Sequence, residues 1–243
     1  MSKPTLPELD SSFYPQVWEQ QVFKDPQALL IAILEGRITP DPKAFTKQIL
    51  ANDAYQQWIN FTVFGRYIQR SFAAFYQQSE DSFNMDIPAL FRHELMRHAQ
   101  YLPLDQILFV AGDIPKKVRR EKLLTTTLNP ATAVNGAWTS KQHANKAILA
   151  NTQETVVNQI RVAGKQVLGF AIRHNKRTSE RTRNEVLILD FQDLRLVNEQ
   201  SVEQSNTAIS KGTVINDTII NGTAIQHAAI KSTATLLRCY ELR

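Results

Sequence analysis

The chain has 243 residues, of which 43% are hydrophobic and 21% charged, and its formal net charge is +5. This is the composition of a globular protein long enough to bury a hydrophobic core. The eight glycines are too dispersed for the glycine-rich loops that cradle phosphates, and the single Cys239 excludes an intrachain disulfide and a thiolate zinc cluster. No apolar stretch approaches the roughly 18 residues of a membrane-spanning helix.

The N-terminal residues 1–10 lack the basic and apolar regions of a classical export signal. We therefore expect a cytoplasmic protein, or one delivered into a target cell's cytoplasm without a classical signal peptide.

Charge divides the chain into two parts. Up to Glu94 there are 8 basic and 11 acidic residues, against 20 basic and 12 acidic from Leu95 onward. All ten prolines lie at or before Pro130. The charge division and the element pattern below predict a helical N-terminal domain over 1–100 and a sheet domain over 101–243, and the proline boundary falls inside the second of these.

The N-terminal part is typical of helices. Asp25-Pro26 and Asp41-Pro42 each place a capping Asp before a Pro at the first helical position. The first of these helices is expected to stop at Gly36. A long segment then carries apolar side chains every three or four residues, which predicts one buried helical face. These side chains are Trp58, Phe61, Phe64, Ile68, Phe72 and Phe75. A further helix is predicted from Pro88 to about Gln100.

After Pro103 short β-prone runs alternate with polar turns, and one helix is predicted near Pro130–Leu149. The predicted strands are Gln106–Val110, Leu123–Leu124, Val156–Val162, Val167–Ile172, Glu185–Leu189, Leu194–Val197 and Thr235–Tyr240. The fold class is therefore α+β. A Thr/Asn/Ile-rich stretch between 198 and 232 is either a hairpin or an exposed insertion.

One pair of histidines has the appearance of a metal motif. His93 and His98 lie five positions apart, which turns the second imidazole about 140° around a helix from the first. Two ligands of one zinc ion cannot come from such positions. We predict no metal site.

Three short motifs follow one another in the C-terminal part. They are Phe109-Val110-Ala111-Gly112, the run Thr125–Thr127 continuing as Leu-Asn-Pro, and Glu185 entering Val-Leu-Ile-Leu. Their order and spacing resemble the ADP-ribosyltransferase fold of the arginine–serine–glutamate class. In that class a first strand ends in aromatic-Arg-Gly, a second carries Ser-Thr-Ser and a third opens with Glu-x-Glu-Val-Leu. The resemblance covers about residues 102–242 and implies a split mixed β-sheet.

The resemblance also implies roles for single residues. NAD, as substrate, would bind at Gly112, Thr125, Thr126 and Thr127, while Thr125 and Glu185 would be catalytic. Release of nicotinamide leaves a positively charged ribose centre, and a carboxylate beside that centre stabilises it.

Two positions depart from the family pattern. Ala111 stands where the family has an NAD-binding arginine, and Arg183 stands where many members have the first glutamate. Alanine makes no charge-assisted bond to a phosphate, and the loss of one costs about 1.5–3 kcal/mol. Either another cation substitutes or turnover has been lost, by natural or engineered change. The cations nearest to Ala111 in sequence are Lys116, Lys117, Arg119 and Arg120.

A basic segment precedes the glutamate motif. It is a solvated loop by default, but in the family the corresponding turn helps to select the acceptor. Its cations are Arg173, Lys176, Arg177, Arg181 and Arg183. Such a turn attracts an acidic protein surface or a nucleic-acid backbone.

The leading hypothesis is an NAD-dependent ADP-ribosyltransferase of the toxin, effector or phage-encoded kind, with a protein or nucleic-acid acceptor. A catalytically inactive binding or structural protein of the same fold is the first alternative, and a nucleic-acid-binding module the second. The N-terminal helices are a delivery segment, a partner-binding face or an autoinhibitory cover, and no membrane insertion is expected.

Overall fold

The computed structural model describes residues 3–9, 17–18, 21–23, 25–60, 95–96, 99–146, 155–172, 184–203 and 234–243. This part of the chain is α+β, as predicted. Its helices are α1 (Pro26–Leu34), α2 (Pro42–Ala51), α3 (Asp53–Asn60), α4 (Lys117–Glu121) and α5 (Pro130–Lys146). Its strands are β1 (Val17–Trp18), β2 (Gln21–Val22), β3 (Gln100–Tyr101), β4 (Ile107–Ala111), β5 (Leu124–Thr127), β6 (Thr155–Val162), β7 (Leu168–Ala171), β8 (Glu185–Asp190), β9 (Leu194–Glu203) and β10 (Ala234–Leu242).

Both predicted helix starts are confirmed. The Asp25 carboxylate accepts a hydrogen bond from the backbone N–H of Ala28, 2.8 Å away, and Asp41 caps α2 in the same way. The chain leaves α1 at Glu35, and Gly36 follows with a φ of 74°. Side-chain oxygens thus satisfy N–H groups that a helix start leaves without partners.

The predicted aromatic face is described only at its beginning. The Asn52 side chain accepts from the N–H of Tyr55 and starts α3 as a new helix. Trp58 on α3 is fully buried. The rest of the face, residues 61–75, lies outside the described residues.

The helix predicted to reach about Gln100 ends earlier. Leu95 and Met96 are helical, but Gln100 and Tyr101 form β3, which pairs with β7. Tyr101 also makes an isolated bridge to Thr5 in the N-terminal segment. Backbone hydrogen bonds to two distant segments thus replace helical ones here, and helix periodicity carries no sign of them.

The main sheet has eight strands in the order β3-β7-β8-β5-β4-β6-β10-β9. It is mixed, because β6 and β10 are parallel whereas the other pairs are antiparallel. All seven strands predicted after Pro103 are present, with β9 extending to Glu203. The short helix α4, in the connection between β4 and β5, was not predicted.

Strand pairing within the sheet is sparsest between β4 and β5. Those strands share a single register pair, Phe109 with Thr127. By contrast, β4 pairs with β6 from Ile107 to Ala111, and β5 pairs with β8 along its whole length. Among the described residues, no register pair joins the end of β4 to the start of β5.

One hydrophobic cluster joins the described N-terminal helices to both halves of the sheet. It includes Leu30, Phe45 and Trp58 together with Phe109 and Val186. A second, smaller cluster packs part of β7 and β8 against residues 95–101. Among the described helices, none combines the length and apolar character needed to cross a bilayer.

Candidate functional site

The three sequence motifs lie on neighbouring strands. β8, β5 and β4 are adjacent in the sheet, although β6 and β7 separate β5 from β8 along the chain. Glu185 is opposite Thr127, and Thr127 is opposite Phe109. The sheet topology thus brings together residues that are up to about 75 positions apart in the sequence.

Thr125 and Glu185 share one face of the β5–β8 pair. Residues opposite each other on antiparallel strands point to the same side, and Thr125 and Thr127 also share a side because side chains alternate. Thr125 is opposite Leu187, so Glu185 is its diagonal neighbour, at about 7–8 Å and within reach of a long side chain. Thr125 is exposed and Glu185 is half-buried.

The other two hydroxyls of the threonine run bond within the fold. The Thr126 hydroxyl donates to the backbone oxygen of Val186 at 2.8 Å, and the Thr127 hydroxyl accepts from the N–H of Asn129 at 2.9 Å. Both side chains are buried. Thr125 is therefore the one member of the run with an exposed side chain.

Gly112 forms an open corner at the end of β4. Its φ is +72°, a left-handed conformation that favours glycine, and no atom lies within 4 Å of where a Cβ would stand. The fully buried Asn158 fixes this corner through its Nδ2, which donates to the backbone oxygens of Gly112 at 2.5 Å and Val110 at 3.2 Å. A ligand can approach the Gly112 backbone closely without moving a side chain of that residue.

Ala111 packs against α5. A Cβ built on Gly136 would lie 3.1 Å from the Cβ of Ala111, so this pair of small residues lets the helix approach the strand closely. The position at which the family carries arginine is thus adjacent to a helix backbone. Arg238 on β10 pairs with Asp113, which follows Gly112, at 2.5 Å and with Glu199 on β9 at 2.7 Å.

The connection between β4 and β5 is positively charged. Lys116, Lys117, Arg119 and Arg120 are all exposed. Arg119 donates to the backbone oxygen of Leu194 at 3.1 and 3.2 Å. No carboxylate of the described residues lies within ion-pair distance of Lys116 or Lys117, so both are available to an anion.

A buried polar network lies directly before Glu185. We call it the Asn184 network and define it as Thr46, Tyr55, Asn129 and Asn184. The Asn184 Oδ1 accepts from the Thr46 hydroxyl at 2.7 Å and from the Asn129 Nδ2 at 3.4 Å, while the Asn184 carbonyl accepts from the N–H of Leu128. All four members are at most 5% exposed. Two strands of the site and two N-terminal helices therefore meet in one hydrogen-bonded cluster.

Tyr55 extends this network toward the carboxylate. Burial raises the pKa of Tyr55 to about 12, a hydrogen bond with the Asn184 side chain opposes that rise, and the negative charge of Glu185 adds to it. The pKa of Tyr55 therefore responds to the charge of Glu185. Sequence patterns carried no sign of this network, because its members are spread over residues 46–184.

The predicted acceptor-recognition residues lie outside the described residues. These are Arg173, Lys176, Arg177, Arg181 and Arg183, and the histidine pair His93 and His98 lies outside them as well. Across the described ranges, His, Cys, Asp and Glu side chains form no group of three or more that could hold a metal ion.

Comparison of the chain with family models, curated proteins and solved structures finds no match.

Proposed function

We propose that this chain has an ADP-ribosyltransferase-type fold and transfers ADP-ribose from NAD to a macromolecular acceptor. The observation that carries the proposal is the diagonal placement of Thr125 and Glu185 on one face of β5 and β8, with the Thr125 side chain exposed. The sparse pairing of β4 with β5 beside the open Gly112 corner supports the same conclusion, because an extended dinucleotide needs a groove across strands.

The chemistry assigns a role to each of these residues. The bond between ribose C1′ and the nicotinamide nitrogen breaks, and its electron pair neutralises the positively charged nicotinamide ring. The Glu185 carboxylate stabilises the cationic ribose that remains. A nucleophile of the acceptor then bonds to C1′, and its proton passes to water. The Thr125 hydroxyl orients the ribose or the carboxylate.

The positive charge for the pyrophosphate comes from the β4–β5 connection in this proposal. Lys116 is four residues beyond Gly112 and, like Lys117, has no ion-pair partner among the described residues. A lysine acts as a point charge on a flexible stem, so its contact with phosphate does not require the fixed geometry of an arginine in β4. Ala111 is then compatible with turnover.

The acceptor is proposed to be acidic, either a protein surface or a nucleic acid, and to be selected by the basic segment 173–183. The protein is proposed to act in a cytoplasm, its own or a target cell's. An inhibitory or delivery partner of the N-terminal helices belongs to the same proposal.

Nicotinamide release and transfer of labelled ADP-ribose test the proposal. Wild type should release nicotinamide, Glu185→Gln should reduce the rate by at least about 100-fold, and Thr125→Val should reduce it by about 10-fold or more. Glu203→Gln, at the exposed end of β9, is the matched control and should retain the wild-type rate. Equal background signals for wild type and Glu185→Gln would refute an active enzyme.

A non-catalytic protein of the same fold is the second candidate, and the packing of Ala111 against Gly136 favours it. If α5 excludes a phosphate from that position, NAD should show no binding by calorimetry. A micromolar affinity that falls in a Lys116→Ala/Lys117→Ala double variant would favour the transferase instead.

A further inference from the structure

We propose that Asn184 is a positioning residue for Glu185, and that helices α2 and α3 hold Asn184 in place through Thr46 and Tyr55. This inference rests on the transferase function proposed above. It makes the N-terminal helices a working part of the site, in contrast to a delivery segment or a removable cover.

The backbone of Asn184 explains why it must be held. Its φ is +46°, in the left-handed region that few residues other than glycine adopt, although asparagine tolerates it better than most. Glu185 follows directly as the first residue of β8. The torsion angles of Asn184 therefore set the direction in which β8 begins and the place from which the Glu185 side chain projects.

The contacts fix Asn184 from two sides. Its side-chain oxygen accepts from Thr46 of α2 and from Asn129, and its backbone oxygen accepts from the N–H of Leu128, 3.1 Å away. The Asn129 Nδ2 in turn donates to the backbone oxygen of Pro42, at the start of α2, at a distance of 3.0 Å. One amide thus links the end of β5, the start of β8 and the first turn of α2.

Burial makes this arrangement specific. Asn129 is 0%, Asn184 2% and Thr46 5% exposed, so water cannot replace a bond that is broken. A buried polar network is stable only where its donors and acceptors are paired, which leaves few alternative orientations of Asn184. Displacement of α2 would therefore alter the geometry at Glu185.

Removal of a single hydroxyl tests the inference. Thr46→Val preserves the shape of the side chain but removes its bonds to Asn184 and Asn129, and Thr46→Ser restores the hydroxyl. We expect Thr46→Val to lower kcat about 10-fold with KM for NAD within about twofold of wild type, because misplacement of a catalytic group affects the chemical step. Thr46→Ser should recover kcat to within about twofold of wild type.

Thr155→Val on β6 is the matched control, since Thr155 is equally buried at 4% and lies outside the network. It should leave kcat unchanged. If Thr46→Val and Thr155→Val lower thermal stability by similar amounts and have the same kcat, the inference is overturned while the proposed function stands.

A second measurement does not require turnover. The N–H of Leu128 bonds to the Asn184 carbonyl, so its hydrogen exchange reports how firmly the Asn184 backbone is held. We expect that exchange to be about 10-fold faster in Thr46→Val and in Tyr55→Phe than in Thr155→Val. Unchanged exchange would overturn the inference, whereas faster exchange without NAD turnover in wild type would reject only the proposed function.

Discussion

Replacement of Asn129 by alanine should be among the most destabilising single changes at the site. Its Nδ2 donates to the Pro42 carbonyl at 3.0 Å, to the Thr46 hydroxyl at 3.2 Å and, at 3.4 Å, to Asn184. Its Oδ1 accepts from the N–H of Thr132 at 3.2 Å and so caps α5. The residue is fully buried.

The magnitude follows from these contacts. The two shorter Nδ2 bonds contribute about 1 kcal/mol each and the helix cap about 1 kcal/mol. The Pro42 carbonyl, left without this donor in a site closed to water, adds about 1 kcal/mol. The free energy of unfolding should therefore fall by about 3–4 kcal/mol, which corresponds to a Tm about 6–16 °C lower for a protein of this size.

Thermal and urea denaturation measure this loss. Asn135→Ala, on the same helix but partly exposed, is the matched control and should change the free energy of unfolding by no more than about 0.7 kcal/mol. Asn129→Ser retains a capping oxygen and should be about 1 kcal/mol more stable than Asn129→Ala. A Tm of Asn129→Ala within about 2 °C of the control would refute the view that this amide joins α2, α5 and β8.

Three further predictions concern packing and pH. In Gly169→Ala the new Cβ would lie 2.7 Å from a backbone oxygen of β8, so denaturation should show a loss of about 1–3 kcal/mol. The pKa of Tyr55 is raised from 10.0 to about 12, so the protonated phenol contributes stability that is fully present below pH 10 and is lost as pH rises toward 12. In urea titrations, Tyr55→Phe should therefore show a smaller alkaline loss of stability than wild type. Hydrogen bonds from Arg243 and Arg161 lower the pKa of Glu241, so the carboxylate contributes stability above its ordinary pKa of 4.5 and this stability is lost as pH falls. Glu241→Gln should therefore show a smaller acid-induced loss of stability, and added salt should weaken the difference.

The packing prediction for Gly169→Ala has a control at a second glycine, at the end of β4. In Gly112→Ala the new Cβ meets no atom within 4 Å, so the free energy of unfolding should fall only by the cost of placing alanine in a left-handed conformation, about 1–2 kcal/mol. A larger loss of stability there than in Gly169→Ala would contradict the packing argument. If the alkaline decline is the same in wild type and Tyr55→Phe, or the acid-induced loss is the same in wild type and Glu241→Gln, the assignment of that pH dependence is wrong.

Local patterns in the sequence predicted much of the secondary structure. The two Asp-Pro starts gave helices with the expected caps, because capping depends on residues within one turn. The β-prone runs after Pro103 became strands, because branched and aromatic side chains suit a pleated, half-buried surface. The sequence also selected Thr125 and Glu185, which lie on adjacent strands of the sheet.

Long-range pairing decided the rest. The sequence alone did not reveal that Gln100 leaves a helix to join β7, that Glu185 stands opposite Thr127, or that Ala111 packs against Gly136. The Asn184 network is the clearest case, since a threonine on α2 and asparagines after β5 and before β8 have no shared period or motif. Sequence determines which groups prefer a helix, a strand or a cap, whereas the partners of a buried polar group are fixed only when the whole core has closed around it.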